Sequence, residues 1–474
     1  MSSTHCLSRL EGLPEYRIGT LRSHQGGPVA KFSAVGIKVC KFGGSSLANA
    51  TQLTKVRSIV RDDTERRYVV VSAPGKQTDQ DRKITDLLYL SHETATQQLP
   101  FNDTFEIIAE RYRQIVAELG LKLPIDTHLE HVHADIAANY STADLAVSRG
   151  EYLCGLVMAE VLDYEFIDTA GIIRFDEHGQ LDEQQTYDRI GRRLKDASNV
   201  VLPGFYGSMP DGQIHTFSRG GSDVTGAILA RAIGATVYEN WTDVSGLLMA
   251  DPHIVNDPKI IETITYRELR ELAYSGATVL HDEAIFPVRE AGIPVHIRNT
   301  NCPEAPGTLI VRADEQTEVL SGAITGIAGR KDFTAITVEK ALMNREIGYG
   351  RRLLSVLEVN GIRFEHLPSG IDTMSVVIAD SQLDGRLEAV LDQIYQQCKP
   401  DSIEVDRHMA LIATVGCGMS HTPGTAAQLF KALANANVNI RMIDQGSSEL
   451  NIIVGVNVDD YDTAVRAIYE AFVA

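Results

Sequence analysis

From Ile37 to about Ala313, short apolar runs alternate with longer amphipathic stretches. Ile37–Phe42, Tyr68–Ser72, Asn199–Pro203, Ala235–Glu239 and Pro294–Arg298 are rich in valine and isoleucine and read as buried strands. Leu53–Arg61, Phe105–Leu119, Tyr152–Leu162 and Asp223–Ile233 carry apolar residues at helical spacing. Alternation of this kind predicts an α/β domain on a mostly parallel sheet, where ligands sit beyond the carboxyl ends of the strands.

After "PEAPGTLIV", which ends at Val311, the texture changes. Phe333–Glu339, Tyr349–Val359, Ile362–Leu367, Thr373–Ile378 and Leu383–Gln397 read as strand, helix, strand, strand, helix. The order returns in Ala410–Val415, Gly424–Ala436, Val438–Asp444, Leu450–Val456 and Tyr461–Phe472. The offset of roughly 75 residues marks duplicated units. Gly350 matches Gly424 before each helix, and Gly370 matches Gly446 between the paired strands. The expected division is an irregular extension over 1–36, an α/β domain over 37–313, and two small α/β modules over 321–400 and 401–474. Paired modules behind an enzyme core bind effectors or dimerise.

Composition narrows the function classes. The 474 residues are 44% hydrophobic and 23% charged, which fits a folded chain of two or three domains. The 44 basic against 63 acidic residues give a net charge of −19, which argues against an extended nucleic-acid or anionic-membrane surface. An anionic ligand must therefore be met by local basic residues. The six cysteines are scattered without a C-x-x-C pair, as for buried thiols in a reducing compartment. No apolar run is long enough to span a bilayer, and the first 36 residues, with four basic and two acidic, lack a continuous hydrophobic signal core. These features are those expected of a cytoplasmic protein.

Candidate chemistry concentrates in a few loops. "KVCKFGGSSLANA" breaks an apolar run at Lys41 into Gly43-Gly44-Ser45-Ser46 before a helix-like segment. The pair of glycines fits a tight turn, or a phosphate cradle in which backbone N–H groups and a helix N-terminus face the anion. The spacing is not that of a Walker A loop. "FSRGGSDVTGAILA" repeats the device: Arg219 precedes Gly220-Gly221-Ser222, and Asp223 follows at the start of a helix. Two such turns facing each other would embrace a polyanion such as a nucleotide triphosphate. "SRGEYLCG" places Glu151 at an expected helix start, where it is either a ligand group or a dipole partner. In "YENWTDVSGLLMADPHIV", Thr242-Asp243 end a strand and either hold a ribose or purine edge or cap a turn. "VGCGMSHTPG" is a partial dinucleotide loop with His421 at the third glycine position, and is set aside.

"KFGGSS", "SRGEY", "FSRGGSD", "WTDVSG…ADP" and "NTNCPEAPGTLI", in this order and spacing, resemble the amino-acid kinase family and, within it, the aspartokinases. The tail, with "NANVNIRMIDQGSSELNIIV", resembles their paired ACT modules. The resemblance runs from about Ile37 to the C-terminus. It implies a three-layer αβα kinase domain followed by two ferredoxin-like ACT modules, and transfer of the ATP γ-phosphoryl group to the β-carboxylate of L-aspartate. By this analogy Lys41 neutralises the transferring group, Asp223 orients Lys41, and Gly43, Gly44, Gly220, Gly221 and Ser222 cradle the phosphates. Glu151 would take the substrate ammonium and Arg219 a carboxylate, with Ser45 and Ser72 adding hydrogen bonds. Thr242 and Asp243 would hold the adenosine. Mg²⁺ would travel with ATP, with no dedicated protein metal cage.

Three positions depart from the family's pattern: Leu248 in place of a tyrosine, His253 of an arginine and Thr278 of a lysine. Losing two positive charges on the nucleotide side should weaken ATP contacts or change how the nucleotide is held. This leaves two rivals, a non-catalytic effector-binding regulator and a kinase for another small carboxylate or carbamate. The tail implies feedback inhibition by lysine, threonine or both, in a pocket at Met343, Gly348, Tyr349 and Gly350, and a homodimer through the ACT modules or a larger homo-oligomer. With the second module expected to run to residue 474, a fused homoserine dehydrogenase is not expected in this sequence.

Overall fold

The computed structural model describes residues 36–78, 80–138, 141–195, 197–218, 220–277, 282–313 and 323–473. Arg219 and Thr278, singled out above, lie outside them, as does the expected extension over 1–36 apart from Gly36.

The first domain runs β1 (Lys38–Phe42), α1 (Ala50–Arg61), β2 (Arg66–Val71), α2 (Ile84–Thr96), α3 (Asn102–Leu119), α4 (Ile125–Ala137), α5 (Ala143–Leu162) and β3 (Glu165–Phe166). It continues with α6 (Glu183–Arg193), β4 (Val200–Pro203), the hairpin β5 (Tyr206–Ser208) and β6 (Ile214–Thr216), α7 (Gly221–Ile233) and β7 (Val237–Thr242). β8 (Thr263–Thr265), α8 (Tyr266–Tyr274), α9 (Phe286–Ala291), β9 (Val295–Asn299) and β10 (Thr308–Val311) complete it. The main sheet has the order β3-β4-β2-β1-β7-β9-β10-β8, and every neighbouring pair is parallel except β9 and β10.

Period-two alternation builds the layers. Cys40, Phe42, Val69, Val71, Val201 and Trp241 face a core with α1 to α5. Val39, Val70, Leu202, Tyr238 and Ile297 face a second core with α6, α7 and α9. With both faces covered, the strands read as continuous apolar runs in the sequence.

Two first-domain elements differ from expectation. The strand expected over Ala235–Glu239 starts later, because Gly234 in the left-handed region (φ 64) ends α7 and the Ala235 N–H still bonds Ala230 O at 2.9 Å. The helix expected from Tyr152 begins instead at Ala143, where Thr142 accepts from Leu145 N at 3.1 Å. Glu151 therefore lies in the middle of α5, not at a helix start, and the helix-dipole alternative for it falls away. Gly150 and Gly155 do not signal a helix end here. A Cβ on Gly150 would come 2.8 Å from the Ala73 Cβ, and one on Gly155 2.8 Å from the Phe166 ring.

The tail is one antiparallel five-stranded sheet, β12-β11-β13-β15-β14, formed by β11 (Gly326–Glu339), β12 (Thr373–Ala379), β13 (Ser402–Val415), β14 (Met442–Asp444) and β15 (Asn451–Asn457). Helices α10 (Tyr349–Val359), α11 (Leu387–Cys398), α12 (Thr425–Asn435) and α13 (Tyr461–Val473) pack on it in two apolar clusters. β11 and β13 are shared: Phe333–Glu339 pair with Ser402–Met409 beside β12, and Gly326–Arg330 pair with Leu411–Val415 beside β15. The register shifts between the two halves, near Asp332 (φ 71) and His408 (φ 62). The expected strand over Ile362–Leu367 is reduced to isolated bridges from His366 to Val377 and Ser369 to Met374, since Pro368 has no N–H to donate. The expected strand from Val438 is confined to Met442–Asp444. The glycine that caps α10 as Gly424 (φ 96) caps α12 is Gly348 (φ 80), not Gly350.

Buried Glu268 of α8 joins the two parts. Its side chain closes a capping box with Thr265, and its Oε1 accepts from Thr325 Oγ1 at 2.6 Å and from the Cys417 N–H at 2.8 Å.

Candidate active site

In the main sheet, β1 has β2 on one side and β7 on the other, so the order reverses at the carboxyl end of β1. A crevice opens outside the strands at such a point, and the loop after Lys41 stands there.

Lys41 shares the α7-facing side of the sheet with Val39, and Asn240 of β7 is its partner across the strands. Its Nζ lies 2.7 Å from Asp223 Oδ1, and Asn240 Nδ2 donates to that same oxygen at 2.9 Å. Asp223 is in the first turn of α7, where a carboxylate is favoured. Lys41 is only 8% exposed, so this ammonium is held, not swinging in solvent.

The Gly43 N–H donates to Trp241 O at 3.0 Å. That amide is committed to the sheet, so the expectation that Gly43 lends its N–H to a phosphate does not hold. Gly44 and Ser45 open a 3-10 helix over Gly44–Leu47, whose leading N–H groups have no partner inside the helix. Ser46 Oγ is 2.7 Å from Thr300 Oγ1, which fixes the turn to the segment after β9. On the other side, Gly220 adopts the left-handed region (φ 56) as the cap of α7 and turns Gly221, Ser222 and Asp223 into its first turn. Gly221 is required by contact as well: a Cβ there would lie 2.3 Å from the Phe205 ring. Both Gly-Gly-Ser turns are thus helix N-termini at the crevice, the arrangement suited to an anion.

Ser72 follows β2, and its N–H donates to Phe42 O at 3.2 Å. Thr242 Oγ1 donates to Asp243 Oδ1 at 3.2 Å, and Thr242 O accepts from the Thr300 N–H at 2.8 Å. Thr242 and Asp243 thus form a turn at the end of β7, beside the Gly43 loop.

Glu151 is 5% exposed, and its Oε2 has no hydrogen-bond partner among the described residues. Burial pushes its carboxyl up to about 8, against the opposing effects of the Ala73 N–H and the charges of Arg149 and Lys41. A buried carboxylate oxygen without a partner is costly unless a donor arrives. A cationic ligand group would supply it.

Sequence reasoning missed three residues. Asn240 orients Asp223, and Ala73 supports Glu151. Gly75 packs against the first turn: its N–H donates to Gly44 O at 2.8 Å, and a Cβ on it would lie 2.7 Å from the Gly44 carbonyl carbon. The run "SAPGK" directly after a strand carried that signal. Because the obstacle is backbone, Gly75→Ala is expected to cost about 1–3 kcal/mol. It should lower Tm and raise the ATP KM; an unchanged Tm and KM would show that the two loops do not depend on this contact.

In the tail, Met343 and Tyr349 are buried, Gly348 caps α10, and the Tyr349 hydroxyl has no partner among the described residues. Burial pushes that phenol up to about 12. Arg352, over the Tyr349 ring, pairs with Glu346, and Lys340 Nζ is 3.7 Å from Glu346. The expected effector residues therefore stand together at one helix start, beside charged groups of both signs.

The comparisons with known proteins agree with this geometry. A family model described as the amino acid kinase family matches residues 36–299, and one described as an ACT domain matches residues 412–472. Aspartokinase 3 of Bacillus subtilis (strain 168) is 41% identical over 454 residues, covering 92% of this chain and 99% of that protein. The chain belongs to the aspartokinases of the amino acid kinase family. A crystal structure of Clostridium acetobutylicum aspartate kinase, described as an allosteric enzyme, matches with a TM-score of 0.86 at 53% identity, over 92% of this chain and 100% of that one. E. coli aspartokinase III in complex with aspartate and ADP matches at 0.68 and 27% identity, and in complex with lysine and aspartate at 0.69 and 26%. Each of these two covers 92% of this chain and 100% of the other. As expected of this family, the first domain has a mostly parallel sheet between helical layers, and the tail an antiparallel ACT-type sheet. Among the described residues, no helix is long and apolar enough to cross a membrane.

Proposed function

We propose that the protein phosphorylates the β-carboxylate of L-aspartate with ATP, giving 4-phospho-L-aspartate and ADP. An oxygen of the β-carboxylate attacks the γ-phosphorus, the bond to the β–γ bridging oxygen breaks, and ADP leaves. The acceptor is already ionised at neutral pH, so no general base is needed. The chain's task is to bring two anions together and offset the charge of the transition state.

The observation that carries this reading is the placement of Lys41, held by Asp223 at 2.7 Å, between two helix N-termini and near the carboxylate of Glu151, whose Oε2 has no partner among the described residues. Lys41 meets the transferring phosphoryl group, with Asp223 and Asn240 fixing its position. The leading amides of Gly44 and Ser45, and of Gly221 and Ser222, take phosphate oxygens. Glu151 takes the substrate ammonium, Arg219 a carboxylate through its planar fork, and Ser72 a further hydrogen bond. Thr242 and Asp243 bind the adenosine, and Mg²⁺ enters with ATP on phosphate oxygens and water.

The tail is read as two ACT modules, with residues 333–409 inserted between Gly326–Arg330 and the rest of the second. Lysine, threonine or both bind at Met343, Gly348, Tyr349 and Gly350 and inhibit, the carboxylate on the amides at the start of α10. The protein works in the cytoplasm as a homodimer through these modules or a larger homo-oligomer. The test is ATP- and Mg²⁺-dependent ADP release with aspartate or glutamate, each with and without lysine and threonine. Release with aspartate, suppressed by an added amino acid, is the expected result. ATP binding without turnover would favour a non-catalytic regulator, and preference for glutamate another acceptor.

A further inference from the structure

Glu239 is a buried charge that the proposed chemistry does not use. Two residues before Trp241 in β7, it shares that ring's face of the sheet, and Cys40 is its cross-strand partner. Four side chains converge on its carboxylate. Oε2 accepts from Arg66 Nε at 2.8 Å, Trp241 Nε1 at 2.9 Å and Cys40 Sγ at 3.3 Å, and Oε1 accepts from Arg66 Nη2 at 3.2 Å. Arg298 Nη1, from β9, lies 3.8 Å from Oε1.

The Trp241 ring is fixed by more than this bond. Phe42 stacks on it at 5.9 Å, and the Arg298 and Arg66 guanidinium groups lie over it, 4.6 and 5.1 Å from the ring centroid. A buried ion-pair cluster is weak evidence for stability, because each charge gives up its water; fixing one arrangement is its better-attested use. Here the residues it fixes carry both anchors of the first phosphate turn. Trp241 O takes the Gly43 N–H at 3.0 Å, and Thr300 Oγ1, two residues after Arg298, is 2.7 Å from Ser46 Oγ. Thr242 O binds the Thr300 N–H at 2.8 Å, so the two anchors are joined.

We propose that Glu239 is a positioning residue: through Trp241 and Arg298 it sets where the Gly44–Leu47 turn presents its leading amides to the nucleotide phosphates. The inference rests on the reading of that turn as the phosphate site of an ATP-dependent kinase. Glu239 makes no contact with substrate and acts only through its neighbours.

The test compares the full chain with its Glu239→Gln and Trp241→Phe variants. Trp241→Phe keeps an apolar ring and the Glu239–Arg66 pair and removes only the indole N–H, so it decides the matter even where Glu239→Gln fails to fold. Each folded variant should raise the ATP KM and the calorimetric ADP Kd by about three- to tenfold, the worth of one net hydrogen bond. The aspartate KM should stay within about twofold of wild type. A lower Tm with ATP KM and ADP Kd unchanged in Trp241→Phe would make the cluster merely structural and overturn the proposal. An equal rise in both substrates' KM would show general loosening and overturn it as well. Trp241 is the chain's one tryptophan, so its emission reads the coupling directly. ADP with Mg²⁺ should change that emission in the wild type, with a midpoint at the calorimetric Kd. Emission indifferent to saturating ADP counts against the coupling. A wild type that binds ADP without aspartate-dependent ADP release would remove the kinase reading, while the variants' ADP Kd would still decide the role of Glu239. No ADP binding by the wild type would remove both.

Discussion

Replacing Lys41 by alanine is expected to lower kcat by on the order of 10²-fold or more, as for loss of a donor aimed at transition-state charge. The reason lies in how firmly this ammonium is placed. It is nearly buried, 2.7 Å from Asp223, and Asp223 is itself held by Asn240 at 2.9 Å. A charge fixed before the reaction needs no reorganisation when the phosphoryl group moves between two anions. The aspartate KM should change much less, since the proposed role sets Lys41 against the transferring group and Glu151 against the substrate's ammonium. Steady-state kinetics with both substrates varied checks this. An ordinary kcat in Lys41→Ala would discard the assigned role.

The second large effect concerns Glu151. Its carboxyl is pushed up to about 8 by burial, with one oxygen unpartnered among the described residues. The folded pKa therefore stands above the ordinary glutamate value. The stability linked to this group is full below that ordinary value and is lost as pH rises through about 8. An arriving ammonium reverses the imbalance by favouring the ionised form. Aspartate binding near neutral pH should then expel a proton, and affinity should rise as pH approaches 8. Glu151→Gln should flatten that dependence and raise the aspartate KM by about 10- to 100-fold, the worth of one buried charge-assisted hydrogen bond. Calorimetric titration of aspartate in two buffers of different ionisation enthalpy measures the proton released. An equal heat in both buffers at neutral pH would contradict the assignment.

The alternating domain was legible because its strands are buried on both faces and so read as unbroken apolar runs, as at Tyr68–Ser72. The two Gly-Gly-Ser turns were legible because each joins a strand or loop to a helix with a basic residue ahead. The start of α5 was not, since Gly150 and Gly155 serve close packing against Ala73 and Phe166 rather than a helix end. Asn240 was hidden inside a buried strand, where only the cross-strand register shows that it faces Lys41. The commitment of the Gly43 amide to Trp241 is likewise a matter of register. In the tail, the repeat was visible, but the sharing of β11 and β13 between two half-sheets depends on long-range pairing that no local pattern encodes.

On the proposed mechanism, Lys41 and its surroundings transfer a phosphoryl group to the aspartate β-carboxylate. The most direct measurement traps the acyl phosphate with hydroxylamine in the presence of ATP and Mg²⁺, for the wild type and Lys41→Ala side by side. Aspartyl hydroxamate is expected from the wild type, with little product from glutamate, and a product rate lower by on the order of 10²-fold in the variant. No hydroxamate from the wild type with either acceptor, despite measurable ATP binding, would contradict it.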